Sequence, residues 1–194
     1  MESLQGIGPH KQLSFLGPTS QNHVLRYLNL LRARHYAPAT LAAVVSVIKR
    51  FTRHLLDSRA AVVVENLAQT TATDLDHFIE HAQQSGLAPG TINTSVSVLK
   101  AFFEFLIEDG QMLTQPVRSR RHRVFAPTTL PKPMAQADLI QFFKVIDSIR
   151  DRLIFLLMLR CGLRVSEVCA LSWSDIDRSA GTIRVNNSKG QVDR

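Results

Sequence analysis

The chain has 194 residues, enough for one large or two small domains, each with a core of its own. Hydrophobic residues make up 45% of it and charged residues 20%, which excludes an intrinsically disordered chain. Lysine and arginine number 23 against 16 aspartates and glutamates, and the resulting +7 points to a polyanionic partner, either nucleic acid or an anionic membrane surface.

Residues 1–18 contain three glycines and two prolines among isolated apolar residues and read as a loose tail. They lack a basic segment followed by an apolar run, so no secretory signal is expected and the default location is cytoplasmic. From about Thr19 the spacing of Val24, Leu25, Leu28 and Leu31 predicts a helix, with Arg26, Arg32 and Arg34 on other faces. After "HYAPAT", Pro38 and Thr40 open a longer helix with a stripe of Leu41, Val44, Val45, Ile48, Phe51, Leu55 and Leu56. Lys49, Arg50 and Arg53 are expected to face outward from it. A third helix begins near residue 73, with Thr73 as the expected cap, Asp74 and Asp76 at its positive end and Gly86 as its stop. The fourth carries Ile92, Val96, Leu99, Phe102, Phe103, Leu106 and Ile107 on one face and ends at Gly110. Four helices with short connections describe a small bundle over residues 19–111.

Composition changes at residues 112–133, where "QPVRSRRHRVFAPTTLPKP" combines four prolines with Arg118, Arg120, Arg121 and Arg123. This stretch is expected to be a basic linker between domains. Beyond it, over residues 134–194, a helix with Leu139, Ile140, Phe143 and Ile146 facing inward is expected. A second follows over residues 150–160, containing "LIFLLML". That run is far below the roughly 20 residues needed to cross a bilayer and reads as a buried core helix. A short helix over 165–171 follows, and then a β-hairpin begins. Cys161 and Cys169 have no metal-ligand spacing and are expected as packed thiols in the apolar core.

The junction "RCGLRVSEVCALSWSDID" draws attention because Gly162 should end one helix and Arg164 should sit at the mouth of the next. A lone arginine at a helix start is usually solvated. Here two apolar helices flank it, so the guanidinium leaves a rigid junction suited to bidentate phosphate binding. Glu167, three residues on, is placed to reach back to the backbone or the guanidinium.

This segment, followed by a hairpin carrying "SKGQVDR", resembles the start of the catalytic domain of tyrosine recombinases, the phage integrase family. The resemblance implies a mainly α protein: a four-helix SAM-like core-binding bundle, then the N-terminal part of an α+β integrase catalytic domain. In that family the first catalytic arginine lies in a G-[LM]-R-x-[SG]-E box, which maps onto Arg164 with Glu167 as its acidic companion. A catalytic lysine in the next hairpin maps onto Lys189, although Ser188 stands for the usual glycine and Val192 for a second lysine of the G-K-G-x-K-x-R pattern. The implied chemistry is attack of a tyrosine hydroxyl on a phosphodiester, giving a 3′-phosphotyrosyl bond with no metal or other cofactor.

The rest of the family's set is a His-x-x-Arg box, a later His or Trp, and the nucleophilic tyrosine. None can be placed: the last histidine is His122, and the tyrosines are Tyr27 and Tyr36. Trp173 is expected to pack beneath the incoming strand. The expectation is therefore a truncated family member that binds duplex DNA without cleaving it. The bundle would grip DNA through Arg32, Arg34, Lys49, Arg50, Arg53 and Lys100 while the basic linker crosses the backbone, with possible self-association on DNA and no membrane partner. Two other readings remain: a DNA-binding-only remnant or regulator, and an all-helical interaction adaptor whose charge serves solubility.

Overall fold

The structure, a computed structural model, describes residues 15–59, 63–127, 130 and 132–186. The chain divides near residue 128 into two compact units.

The first unit is built on four helices: α1 (Pro18–Ala33), α2 (Pro38–Arg59), α3 (Ala72–Gln84) and α4 (Pro89–Glu108). Three of them begin with proline, whose missing N–H would have had no partner in the first turn and whose fixed φ already suits a helix. The remaining helix, α3, starts two residues earlier than Thr73 suggests. Thr71 is its cap: Thr71 Oγ1 accepts from the Asp74 amide at 3.3 Å while Asp74 Oδ2 accepts from the Thr71 amide at 2.7 Å. A cap at Thr73 would need Asp76 as its reciprocal partner, and that carboxylate is taken by Arg121. Gly86 and Gly110, with φ of 75° and 70°, end α3 and α4 in the left-handed conformation that glycine adopts without strain.

The apolar stripes of all four helices converge on one core. Phe51 from α2 sets its ring edge-on to Phe78 from α3 and to Phe103 from α4, at centroid separations of 5.3 and 6.2 Å. Leu55, Leu75, Leu106 and Val24 are completely enclosed around them.

Two segments outside the helices depart from expectation. The end of the presumed tail is part of the fold: Leu16 is 2% exposed, and residues 15–17 pair with Val64 in a short parallel bridge. The bridge brings the backbones so close that a Cβ on Gly17 would stand 2.9 Å from Glu65 Cα. Behind it, the Ser20 hydroxyl accepts from the Leu67 amide at 3.0 Å. The second departure is the presumed linker, which packs on the bundle as far as Val124. Met112, Val117 and His122 are buried, and Asn93 on α4 forms two hydrogen bonds with the Val124 backbone, at 2.8 and 2.9 Å. Apolar residues spaced through this proline-rich stretch, too sparse to show a period, are what hold it down.

In the second unit α5 (Gln136–Lys144), α6 (Ile149–Cys161) and α7 (Val165–Ala170) lead into a hairpin of β1 (Ile176–Asp177) and β2 (Thr182–Ile183), paired antiparallel with Ile176 opposite Ile183. The helices stand where the periodicity places them, but their burial differs. Among the described residues neither α5 nor α6 contains a buried side chain. Leu153, Leu156 and Leu159 are 55%, 37% and 47% exposed, so the "LIFLLML" helix is not a buried core helix here. Cys161 and Cys169 are exposed as free thiols rather than packed. Trp173 is exposed, with the Arg178 guanidinium 5.6 Å from its ring centroid, and does not lie beneath a strand. Apolar character decides which face a helix would bury; burial itself requires something to cover that face, and the described residues of this unit supply little. No described helix is long and apolar enough to cross a membrane.

Two substitutions test this packing. Phe103→Ala should cost the first unit about 3–5 kcal/mol in urea-induced unfolding followed by circular dichroism. Gly17→Ala, harmless to a loose tail, should cost about 1–3 kcal/mol because backbone must move to admit the methyl group.

Candidate functional site

Arg164 is the residue that precedes α7. Gly162, at φ 63°, ends α6 in the left-handed conformation, and Leu163, one residue on, is 6% exposed and pins the turn. Glu167 then locks the junction from within. Its Oε2 accepts from the Arg164 backbone amide and its Oε1 from Arg164 Nη1, both at 2.7 Å. The carboxylate's side chain is 5% exposed whereas that of Arg164 is 51% exposed. One buried acid thus closes the first turn of α7 and fixes a guanidinium that is itself half-exposed. Such a group binds an anion without first losing its own freedom.

The hairpin beyond is ordered by short polar contacts. Asp175 accepts from the Ser172 amide and hydroxyl at 2.9 and 2.8 Å, and from Asn186 Nδ2 at 2.7 Å. Asp177 collects the Ser179 and Ala180 amides, both at 2.9 Å, and the Ser179 hydroxyl, so the turn between β1 and β2 is fixed. These donors hold both carboxyls below the usual carboxylate range. Lys189 lies outside the described residues.

The basic residues of the first unit separate into two kinds. Arg121 forms a bidentate ion pair with Asp76 on α3, and Arg50 donates to Ser95 Oγ at 3.2 Å. Arg121 thus fastens the presumed linker to the bundle. Arg32, Arg34, Arg53, Lys100, Arg118, Arg120 and Arg123 are exposed or partly exposed, with Arg32 steadied by Asn29 at 2.9 Å and Lys100 3.7 Å from Glu104. Lys49 is partly exposed on α2. Where the basic strap crosses α4, Asn93, Ser97, Lys100, Ser119 and Arg123 line a hollow of about 310 Å³. The Asn93 clamp on Val124 positions it. Periodicity gives no sign of this clamp, since its partners are 31 positions apart; the one hint is an asparagine within the second turn of a strong helix.

Two histidines sit in this framework. His122 is 1% exposed; its Nδ1 accepts from the Arg118 amide at 3.0 Å, and its Nε2 lies 3.2 Å from Asp76 Oδ1 without the alignment of a hydrogen bond. Burial, with the nearby Arg121 charge, outweighs the pull of Asp76 and lowers its pKa. His54 on α2 is 8% exposed, and burial followed by the neighbouring His81 and His77 lowers its pKa too. Both rings resist protonation in the fold more than in the unfolded chain. The stability they confer is complete above the ordinary value of 6.5 and is lost as pH falls below it.

Comparison with known proteins agrees with this architecture. Residues 26–110 match the family model described as phage integrase, N-terminal SAM-like domain, and residues 133–194 match that of the phage integrase family. The tyrosine recombinase XerA of Pyrococcus furiosus is 38% identical over 128 residues, covering 64% of this chain and 42% of the relative. The tyrosine recombinase XerC of Xanthomonas campestris pv. campestris is 27% identical over 176 residues, covering 80% and 54%. The chain spans about half the length of the curated relatives it matches. Among solved structures, a lambda integrase dimer bound to a COC′ core site superposes with a TM-score of 0.71 at 21% identity, covering 99% of this chain and 53% of that one. A lambda integrase tetramer bound to a Holliday junction gives 0.70 at 20% identity, covering 100% and 54%. The fold is that of the bundle and adjoining catalytic region of these integrases.

The geometry predicts that Glu167→Ala will strip hydrogen-exchange protection from the amides around residues 164–168 while leaving α1–α4 unchanged. It also predicts a lower urea midpoint at about pH 5.5 than at pH 7.5, with a smaller difference in His122→Asn, whose side-chain oxygen can replace Nδ1 as acceptor.

Proposed function

The chain belongs to the phage integrase family of tyrosine recombinases, and from that membership we propose that these 194 residues bind duplex DNA along the first unit and hold a phosphodiester against Arg164 in the second. The observation that carries the reading is the Arg164–Glu167 lock, with two 2.7 Å contacts from one buried carboxylate and a half-exposed guanidinium. A solvated surface arginine has no use for such an anchor; an anion clamp does. On this reading the core-binding domain spans residues 19–111, the basic segment after it follows the DNA backbone, and the catalytic region begins near residue 134.

The chemistry follows from charge. When a hydroxyl attacks a phosphodiester, negative charge gathers on the nonbridging oxygens, and a guanidinium already fixed in place stabilises it without reorganising. Arg164 has that role here, Glu167 positions it, and Lys189 would protonate the leaving oxygen. Loss of one such group raises a barrier by about 3 kcal/mol. The nucleophile is a different matter, since these 194 residues hold no histidine after His122 and no tyrosine after Tyr36. A polypeptide of this sequence is therefore expected to bind without cutting. The lambda integrase neighbours are a dimer and a tetramer on DNA, which supports self-association on DNA as part of the same reading.

In electrophoretic mobility shifts, Arg53→Ala, Lys100→Ala and Arg123→Ala should each weaken duplex binding by roughly threefold to tenfold, and the triple variant by more. Arg121→Ala should act mainly through stability, because its charge is committed to Asp76. A nicked suicide duplex should yield no covalent adduct. An adduct would refute the non-cutting reading, and unchanged binding in the triple variant would refute the interface.

A further inference from the structure

Between α2 and α3 lies a cavity of about 410 Å³ that belongs to neither the arginine junction nor the strap crossing. Lys49, Arg50 and Arg53 bring three standing positive charges to its wall, and Asp57 one negative charge. His54 and His81 line it as well, with ring centroids 5.2 Å apart and planes inclined by 37°, beside the hydroxyls of Ser46 and Ser85. His54 is 92% removed from solvent relative to full exposure, and its Nε2 has no hydrogen-bond partner. A buried imidazole nitrogen without a partner is disfavoured unless something outside the protein satisfies it.

We propose that this cavity holds one phosphate group of the DNA backbone, gripped by Lys49, Arg50 and Arg53, and that protonation of His54 tightens the grip. The inference rests on the DNA-binding reading and adds a proton to it. A neutral imidazole donates from one nitrogen, whereas an imidazolium donates from both and carries charge, so His54 on gaining a proton becomes a further anion ligand.

The groups that face His54 are on two elements. From α2 come Asp57 and the cations; from α3 come His77, His81 and Asp74. Asp74 is committed to Arg59 at 2.8 Å and to Thr71, and Arg50 reaches Ser95 on α4. With the cavity empty, burial and the two histidines keep the His54 proton off near neutral pH. A phosphate reverses the balance because its charge favours the imidazolium, and linkage makes the effect reciprocal: whatever raises proton affinity on binding raises DNA affinity on acidification.

The test is a histidine ring-proton NMR titration of the full chain, alone, with a short duplex of mixed sequence, and with inorganic phosphate. The duplex should raise the apparent pKa of His54 by about one unit, which corresponds to about tenfold tighter binding by the protonated form. Duplex affinity measured by fluorescence anisotropy at fixed ionic strength should accordingly rise about fivefold from about pH 7.5 to about pH 5.5, a window that spans only part of the linked titration. His54→Gln, which keeps a hydrogen-bonding side chain at that position but cannot take up a proton, should reduce that rise to about twofold or less. Duplex binding with an unmoved His54 titration, or an unaltered pH response in His54→Gln, would overturn the proposal while leaving the DNA-binding reading in place. Movement of His54 by inorganic phosphate but not by duplex would assign the cavity to small free anions and overturn it as well. Absence of duplex binding at both pH values would remove the DNA-binding reading and the proposal with it.

Discussion

Self-repulsion in a chain of net charge +7 works against compactness, and here carboxylates offset it by pairing with cations at chosen points. Asp109 takes Arg26, Asp74 takes Arg59, Asp76 takes Arg121 and Glu167 takes Arg164. The first three link one segment to another: α1 to the end of α4, α2 to α3, and the basic strap to α3. Exposed pairs of this sort contribute little energy, typically below about 1 kcal/mol each. Their effect is positional, because they decide which arginines hold the fold and which stay directed at solvent. Asp76 shows the sorting most clearly. The Arg121 guanidinium holds its carboxyl below the usual range, and Asp76 approaches His122 at the same time, so a stretch that looks uniformly basic contributes one structural cation and three outward ones.

Glu167 differs from the other three acids in burial. Its oxygens face a backbone amide and a guanidinium rather than water, so the pair is local and stiff, and the arginine it holds lies at the end of a helix junction set by Gly162 and Leu163. Stiffness is what separates a phosphate ligand from a mobile surface charge, because the entropy of ordering the side chain has already been lost on folding. The same logic applies to the strap crossing α4, where Asn93 uses both its amide groups on Val124 and so sets the distance between Lys100 and Arg123.

Much of this was legible in the sequence. Long stripes such as Val44, Ile48, Phe51 and Leu55 have one stable solution, and four such stripes joined by proline and glycine signals define a bundle. The Arg164–Glu167 pairing was also readable, because a three-residue spacing at a helix start brings the groups together whatever lies beyond. What escaped were contacts between distant residues with no periodic trace. Leu16 meets Val64 through a single bridge, Asn93 meets Val124, and Thr71 prevails over Thr73 because Asp76 is engaged elsewhere. Burial in the second unit failed for another reason. Leu153, Leu156 and Leu159 form an apolar face as their spacing requires, but hydropathy specifies what a face prefers and not what covers it.

The central claim is that the cations left outward by this sorting form a phosphate-binding surface. It is tested most directly by the salt dependence of duplex affinity for the 194-residue chain at constant pH. A surface that neutralises about six phosphates predicts a straight line in log affinity against log salt, with a loss of about a thousandfold between about 50 and 200 mM. An affinity that stays constant across that range would contradict the account.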